Sequence, residues 1–228
     1  TTSATSLKNF HLLGDVHDGV NFVRFVEDVA TTTRFVDCLA STVSSQSSPM
    51  PILSTSFISC GSNLGIVAHD AFGNVHLFQF TTRGTGDEAK QLRPLGCFYT
   101  GGRSRSAIMT RQSDSQSILS AAHNGAIQSL IPLDGSDFRT LTTVQTLMIQ
   151  RLPQLLGLNP RVCRSQHVSR HAEPRKHIED SDLLRSFLYL SAPLQNEISQ
   201  LMDLPVENLK QLIERVTESP LFVPESLA

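Results

Sequence analysis

Tryptophan is absent from these 228 residues, tyrosine occurs twice, and only four cysteines are present, Cys38, Cys60, Cys97 and Cys163, all far apart. Without tryptophan there is no Trp-Asp repeat signature of the kind that marks one class of propeller. Cysteines so spaced contain no C-x-x-C pair to seed a zinc ligand set, and nothing suggests a disulfide framework. No run of about 18 apolar residues occurs, and the opening TTSATSLKNF lacks a charged segment followed by an apolar one. The chain therefore reads as soluble and intracellular. It starts without Met in what reads as mid-domain, as a fragment would. Excess charge is missing too: the net charge is −2 and the pI about 6.4, so any nucleic-acid contact has to be local. Catalytic signatures are equally scarce. There is no G-x-S-x-G, no H-E-x-x-H and no P-loop, and GGRSRS (101–106) lacks the Gly-Lys-Ser ending that holds a nucleotide phosphate.

What is present reads as a globular chain, 39% hydrophobic and 18% charged, long enough for one large or two modest domains. Fifteen arginines against four lysines tilt it towards interfaces, since the guanidinium forks onto carboxylates and phosphates. Before residue 135 the pattern is short strands and tight turns. FHLLGD and VNFVRFVED flank Gly14-Asp15 and Asp18-Gly19; LGIVAHD and VHLFQF flank Ala71-Phe72-Gly73-Asn74; SILSAAH and AIQSLIPL flank Asn124-Gly125, the strongest short hairpin signal in the chain. ILSTSFIS (52–59) and segments near 34–40, 95–99 and 107–110 add strand candidates. The polar stretches 41–51, 81–94 and 101–106 read as surface loops. Meandering antiparallel sheets follow, as a propeller or a sandwich. At about 40–45 residues per blade, residues 10–131 would supply roughly three blades.

After residue 135 the period turns helical. Phe138, Leu141, Val144, Met148, Leu152 and Leu155 form one stripe, with Asp137 placed as its N-cap and Pro153 as a kink or stop. Val206, Leu209, Ile213 and Val216 form another, with Pro205 in its first turn. SPLFVPESLA reads as a frayed tail. The expected class is mainly β followed by α: β-sheet over 1–134 and a small helical domain over 135–228, with a basic connector at 157–179.

That connector carries the densest chemistry. Cys163, His167 and His171 would share a face if the segment were helical, as zinc ligands can. Asn159-Pro160 and Pro174 make it a poor helix, and no metal is expected. Arg161, Arg164, Arg170, Arg175 and Lys176 stand against a single Glu173 in 161–177. Such a patch can neutralise phosphates, pair with carboxylates of a partner, or lie solvated; no aromatic is interleaved to stack on bases. Asp15, His17 and Asp18 look like an acid/base cluster, but turn formation explains them more simply.

FHLLGDVHDGVNFVRF, GIVAHDAFGNVHLFQF, SILSAAHNGAIQSLIPLDGSDFRTLTTVQTLM, LLGLNPRVCR and IEDSDLLRSFLYLS occur in the order found in a known family. The chain resembles, over nearly its whole length, the C-terminal region of the large subunit of the cleavage and polyadenylation specificity factor. This family is shared with the large subunit of the damaged-DNA-binding protein and a large splicing-factor 3b subunit. Gly14 and Asp15, Asn124 and Gly125, and the helix start at Asp180, Asp182 and Leu183 resemble all three branches. Gly157, Asn159, Pro160, Arg161 and Arg164 resemble the polyadenylation branch alone. Ser181 stands where the family has Gly, and FVDCLASTVSSQSS replaces its usual acidic-aromatic stretch. The resemblance implies that residues 1 to about 134 are the last blades of a seven-bladed β-propeller, followed by a C-terminal helical domain. It further implies a non-enzymatic, nuclear scaffold without cofactor, membrane or small-molecule substrate. Its partners would be the other subunits of the factor, with pre-mRNA reached directly or through them. A damaged-DNA-binding adaptor of a ubiquitin ligase, and direct RNA binding through 161–177, are the alternatives.

Overall fold

The computed structural model describes residues 1–28, 33–42, 50–60, 63–80, 91–112, 115–153, 159–164 and 177–217. It divides into two compact units. One holds Thr1–Pro132 and takes in Arg164 and His177; the other holds Leu133–Cys163 and resumes at Ile178.

The first unit is three antiparallel meanders. Strands β1 (Ser3–Leu7), β2 (Phe10–Asp15), β3 (Gly19–Asp28) and β4 (Thr33–Ser41) form one sheet in chain order. Strands β5 (Ile52–Cys60), β6 (Asn63–Asp70), β7 (Asn74–Phe80) and β8 (Leu92–Tyr99) form the second, and β9 (Ser104–Gln112), β10 (Ser115–Ala122) and β11 (Ile127–Leu130) the third. The expected hairpins are all present. Gly19, Gly73 and Gly125 each supply the positive φ their turns require, at +73°, +90° and +85°.

Strand β5 packs against β1 and β2 on one side and against β9 and β10 on the other. Thr2 Oγ1 donates to Ile52 O at 2.5 Å and Thr5 Oγ1 to Thr55 O at 2.6 Å. Both bonds span 50 residues, so β1 and β5 run side by side in the same direction. Ser54 Oγ repeats the 50-residue step to Ser104 O on β9. The first strands of successive sheets are thus aligned and stitched by hydroxyl-to-carbonyl bonds. Beside this polar seam, Leu12, Val20, Phe22, Ala40, Ile52, Phe57, Ile66 and Phe78 form the apolar core between the first two sheets. Phe22 stacks on Phe10 and meets Phe57 and Phe80 edge-on. Each large side chain so buried contributes about 1.5–3 kcal/mol.

Some boundaries differ from the sequence reading. The loop expected over 81–94 is already strand from Leu92, and that expected over 101–106 is strand from Ser104. Pro94 is accommodated because β8 is the outer strand of its sheet and its ladder slips beside Phe78.

The second unit contains α1 (Gly135–Arg151), α2 (Pro160–Cys163), α3 (Ser181–Ser186), a 3-10 turn over Phe187–Tyr189, α4 (Ala192–Met202) and α5 (Val206–Thr217). Leu141, Val144, Met148, Leu184, Phe187, Ile198, Leu209 and Ile213 are its core. The N-cap of α1 is Asp134, not Asp137: its carboxylate accepts from the backbone N–H of Ser136 and Asp137. Asp137 lies in the first turn and holds Arg215 of α5 at 2.5 Å. Helix α1 stops at Arg151, and Leu152 before Pro153 is extended, as the residue preceding a proline is driven to be. Pro205 stands one residue ahead of α5, its carbonyl accepting from Asn208 and Leu209. Leu155 and the tail 219–228 lie outside the described residues.

Candidate functional site

The connector expected at 157–179 is described at its two ends only. Asn159 precedes a four-residue helix, which corrects the fully irregular reading. Its carbonyl accepts from Val162 and Cys163, and Pro160 takes the first helical position, where no N–H is needed. Arg161 lies within that turn. Cys163 is exposed. Gly157, His167, Arg170, His171, Arg175 and Lys176 lie outside the described residues.

Arg164 is placed in detail, in the first unit. Its carbonyl accepts Tyr99 N–H at 3.0 Å, and its guanidinium sits 5.4 Å from the centre of the Phe98 ring. The two contacts fasten the backbone at Arg164 to the end of β8. A cation over an aromatic face adds on the order of 0.5–1 kcal/mol at such a site. Phe98 and Tyr99 carry no signal in the sequence, because the pairing spans 65 residues of chain without a shared motif.

Gly14 sits where β2 crosses β5; a Cβ there would stand 2.4 Å from Ser3 Oγ and 2.8 Å from Ile52 Cγ2. Asp15 accepts His17 N–H at 2.9 Å within the following turn. Asn124 accepts Ala126 N–H at 3.1 Å, and Gly125 closes the turn onto Ala122 at 3.0 Å. In the second unit Asp180 is the N-cap of α3: its carboxylate accepts from Asp182 and Leu183, while its own N–H reaches Gln145 Oε1 at 2.9 Å. Ser181 fits the first helical position there without a glycine.

The sheet unit buries an unusual polar group. Asp70 receives the N–H of Phe72 and of Asn74 at 2.8 Å, the Asn74 amide at 2.7 Å and His76 Nε2 at 2.9 Å. Next to it, His69 Nδ1 lies 3.1 Å from Ser54 Oγ. Ser54 gives its own proton to Ser104 O, so the imidazole hydrogen sits on Nδ1 and Nε2 is left as a bare acceptor. Burial pushes the Asp70 carboxyl up, and the bonds from His76 and Asn74 outweigh it, leaving it below the usual carboxylate range. Burial, with the neighbouring His76, lowers His69 to about 4. Ser, His and Asp are the residue types of a hydrolase triad. Here Ser54 pairs with one imidazole and Asp70 with the other, and none of the four is more than 4% exposed, so no substrate reaches them. The group locks turn β6–β7.

The CPSF A subunit region family model matches residues 1–189. The chain belongs to this family. It is 26% identical over 217 residues to the probable cleavage and polyadenylation specificity factor subunit 1 of Oryza sativa subsp. japonica, covering 87% of this chain and 14% of that protein. It is 25% identical over 234 residues to Protein cft1 of Schizosaccharomyces pombe, covering 96% of this chain and 16% of the relative. DNA damage-binding protein 1 of Solanum lycopersicum is 28% identical over 142 residues, 58% of this chain and 13% of that protein. The chain thus spans about one seventh of the length of these CPSF A subunit region relatives.

Proposed function

We propose that the chain is part of a non-enzymatic scaffold subunit of the nuclear machinery that cleaves and polyadenylates pre-mRNA, working beside the other subunits of the polyadenylation specificity factor. The observation that carries this reading is the family match over 1–189, together with relatives named for subunit 1 of that factor. The fold suits it. Three meanders whose first strands lie parallel, one every 50 residues, are the arrangement of consecutive propeller blades, and we assign them to the last blades of a seven-bladed propeller. In this reading residues 1–134 are propeller, 135–228 a helical domain, and 157–179 the connector.

Arg164, fastened at Phe98 and Tyr99, anchors the connector. Asn159 and Arg161 act with it towards a protein partner, and Arg170, Arg175 and Lys176 supply any auxiliary contact with pre-mRNA. The function needs no cofactor, membrane or small-molecule substrate. Affinity purification of the full-length protein tests it: polyadenylation factors are expected to co-purify stoichiometrically. The match to DNA damage-binding protein 1 favours a second reading, a propeller adaptor of the ubiquitin-ligase type. A cullin scaffold in place of polyadenylation factors would establish that one and sink the first.

A further inference from the structure

Two hairpin turns and one inter-sheet connection are sewn into a continuous surface at one end of the sheet unit. The carbonyl of Gly73, in turn β6–β7, accepts both the backbone N–H and the hydroxyl of Thr100 at 2.9 Å. Gly102 lies against Gly73 on one side and against Ala122 and Asn124 on the other, so closely that a Cβ on Gly102 would come within 2.9–3.1 Å of those two side chains. Arg103 and His123 exchange bonds: His123 N–H donates to Arg103 O at 2.9 Å, and Arg103 N–H to His123 Nδ1 at 3.2 Å.

These bonds decide what the surface offers. With Nδ1 accepting, the His123 ring hydrogen sits on Nε2. With Oδ1 accepting from Ala126, Asn124 turns its NH2 outward. Arg103 is exposed and makes no ion pair among the described residues. Phe72, at the tip of its turn, is held by Asp70 through its N–H and is 42% exposed, an uncommon place for a bare phenyl ring. The neighbouring carboxylate, Asp70, is 2% exposed and fully engaged below. The surface is therefore an aromatic face, a guanidinium and two neutral donors over a flat floor of Gly101 and Gly102.

We propose that this surface, Phe72 with Arg103, His123 and Asn124, binds single-stranded RNA. Phe72 stacks on a base, Arg103 takes a phosphate, and the imidazole N–H and the Asn124 amide meet base-edge or ribose acceptors. An acidic peptide fits less well, because it would need several cations where there is one, and would leave the ring and the neutral donors unused. The inference uses none of residues 161–177 and goes beyond the scaffold reading.

The test is fluorescence anisotropy with a labelled 12-nucleotide single-stranded RNA of mixed sequence on the full-length protein, across a salt series. Phe72→Ala and Phe72→Leu are each expected to weaken binding about tenfold, Leu keeping the apolar bulk but not the π-face. Arg103→Ala should lower the slope of log affinity against log salt by roughly 0.7, one phosphate's worth on a single strand. The parent melting temperature in each variant shows that the turn is intact, and ultraviolet crosslinking should map RNA to the peptide containing Phe72. Any of four outcomes overturns the proposal: no binding by the parent, parent-like affinity in Phe72→Leu and Arg103→Ala, crosslinks confined to other segments, or equal competition by a glutamate-rich peptide. An effect of Phe72→Leu that persists when Arg170, Arg175 and Lys176 are all Ala supports a site separate from the connector, and its loss there argues against one.

Discussion

His76 Nε2 and Asp70 Oδ2 stand 2.9 Å apart, with the two side chains 5% and 3% exposed. Asp70 also receives Phe72, Asn74 and the Asn74 amide, so one carboxylate holds both ends of turn β6–β7 and the strand that follows. Its pKa is lowered on balance in the folded protein, so its contribution is present above the unfolded carboxylate value and is lost as pH falls through the folded one. Asp70→Asn keeps the shape but turns an acceptor oxygen into a donor facing the Asn74 amide or His76. A loss of about 3 kcal/mol in urea unfolding at pH 7 is expected, in the range for breaking a buried charged network. A loss below about 1 kcal/mol would show that the network is not holding the turn.

His69 gives a different pH signature. Its folded value of about 4 lies below the ordinary 6.5, so between those two pH values the unfolded chain binds more protons than the folded one. Stability therefore rises with pH across that window, and acidifying from pH 7 to pH 4 removes on the order of 3 kcal/mol through this residue alone. Asp70 titrates below the window and does not blur it. His69→Gln should flatten the pH 4–6.5 limb of the unfolding curve relative to the parent; an unchanged limb would assign it to other groups.

The turns were legible in the sequence because Gly73 and Gly125 meet a local steric demand that only the residue itself has to satisfy. Strand β1 was not: SATSL has one large apolar residue, and its inward face spends Thr5 on a carbonyl of β5 in place of apolar contact. The N-cap of α1 was misplaced by three residues because Asp134 and Asp137 both precede the apolar stripe. Only the geometry shows which carboxylate reaches the free N–H groups. Arg164 could be picked out as a motif residue, but its Phe98 and Tyr99 contacts, like the junction of Phe72, Arg103 and His123, depend on sheet packing that no local pattern encodes.

Gly14 and Gly125 should fail for opposite reasons. Gly14 has no positive φ, and its cost is contact: an added methyl would collide with Ser3 and Ile52 between the first two sheets. Gly14→Ala is expected to destabilise by roughly 1–3 kcal/mol, with Ser3→Gly relieving part of it. Gly125 has open space around it and φ +85°, so its cost is conformational, about 1–2 kcal/mol for Ala. Gly125→Asn should be the milder change, since Asn tolerates the left-handed region. Chemical denaturation of the five proteins decides this, and equal losses for Ala and Asn at 125 would remove the conformational explanation.

The third sheet leaves an apolar face open. Ile108 pairs with Leu119 and Ile127 with Ala121, so these four project from one face, and Ile108 and Ile127 are 62% and 70% exposed. The opposite face buries Ile118 against Val67 and Val75 of the second sheet. A sheet apolar on both faces belongs between two neighbours, and only one is present. In the propeller reading the second neighbour comes from the rest of the longer protein, of which the chain spans about one seventh in its relatives. Residues 1–134 expressed alone should therefore self-associate in light scattering after size exclusion. Ile108→Lys with Ile127→Lys should raise the monomer fraction several-fold by charging the bare face. A monomeric parent fragment that melts in one cooperative transition would mean that three sheets suffice as a closed domain, and the assignment to the last blades of a larger propeller would fall.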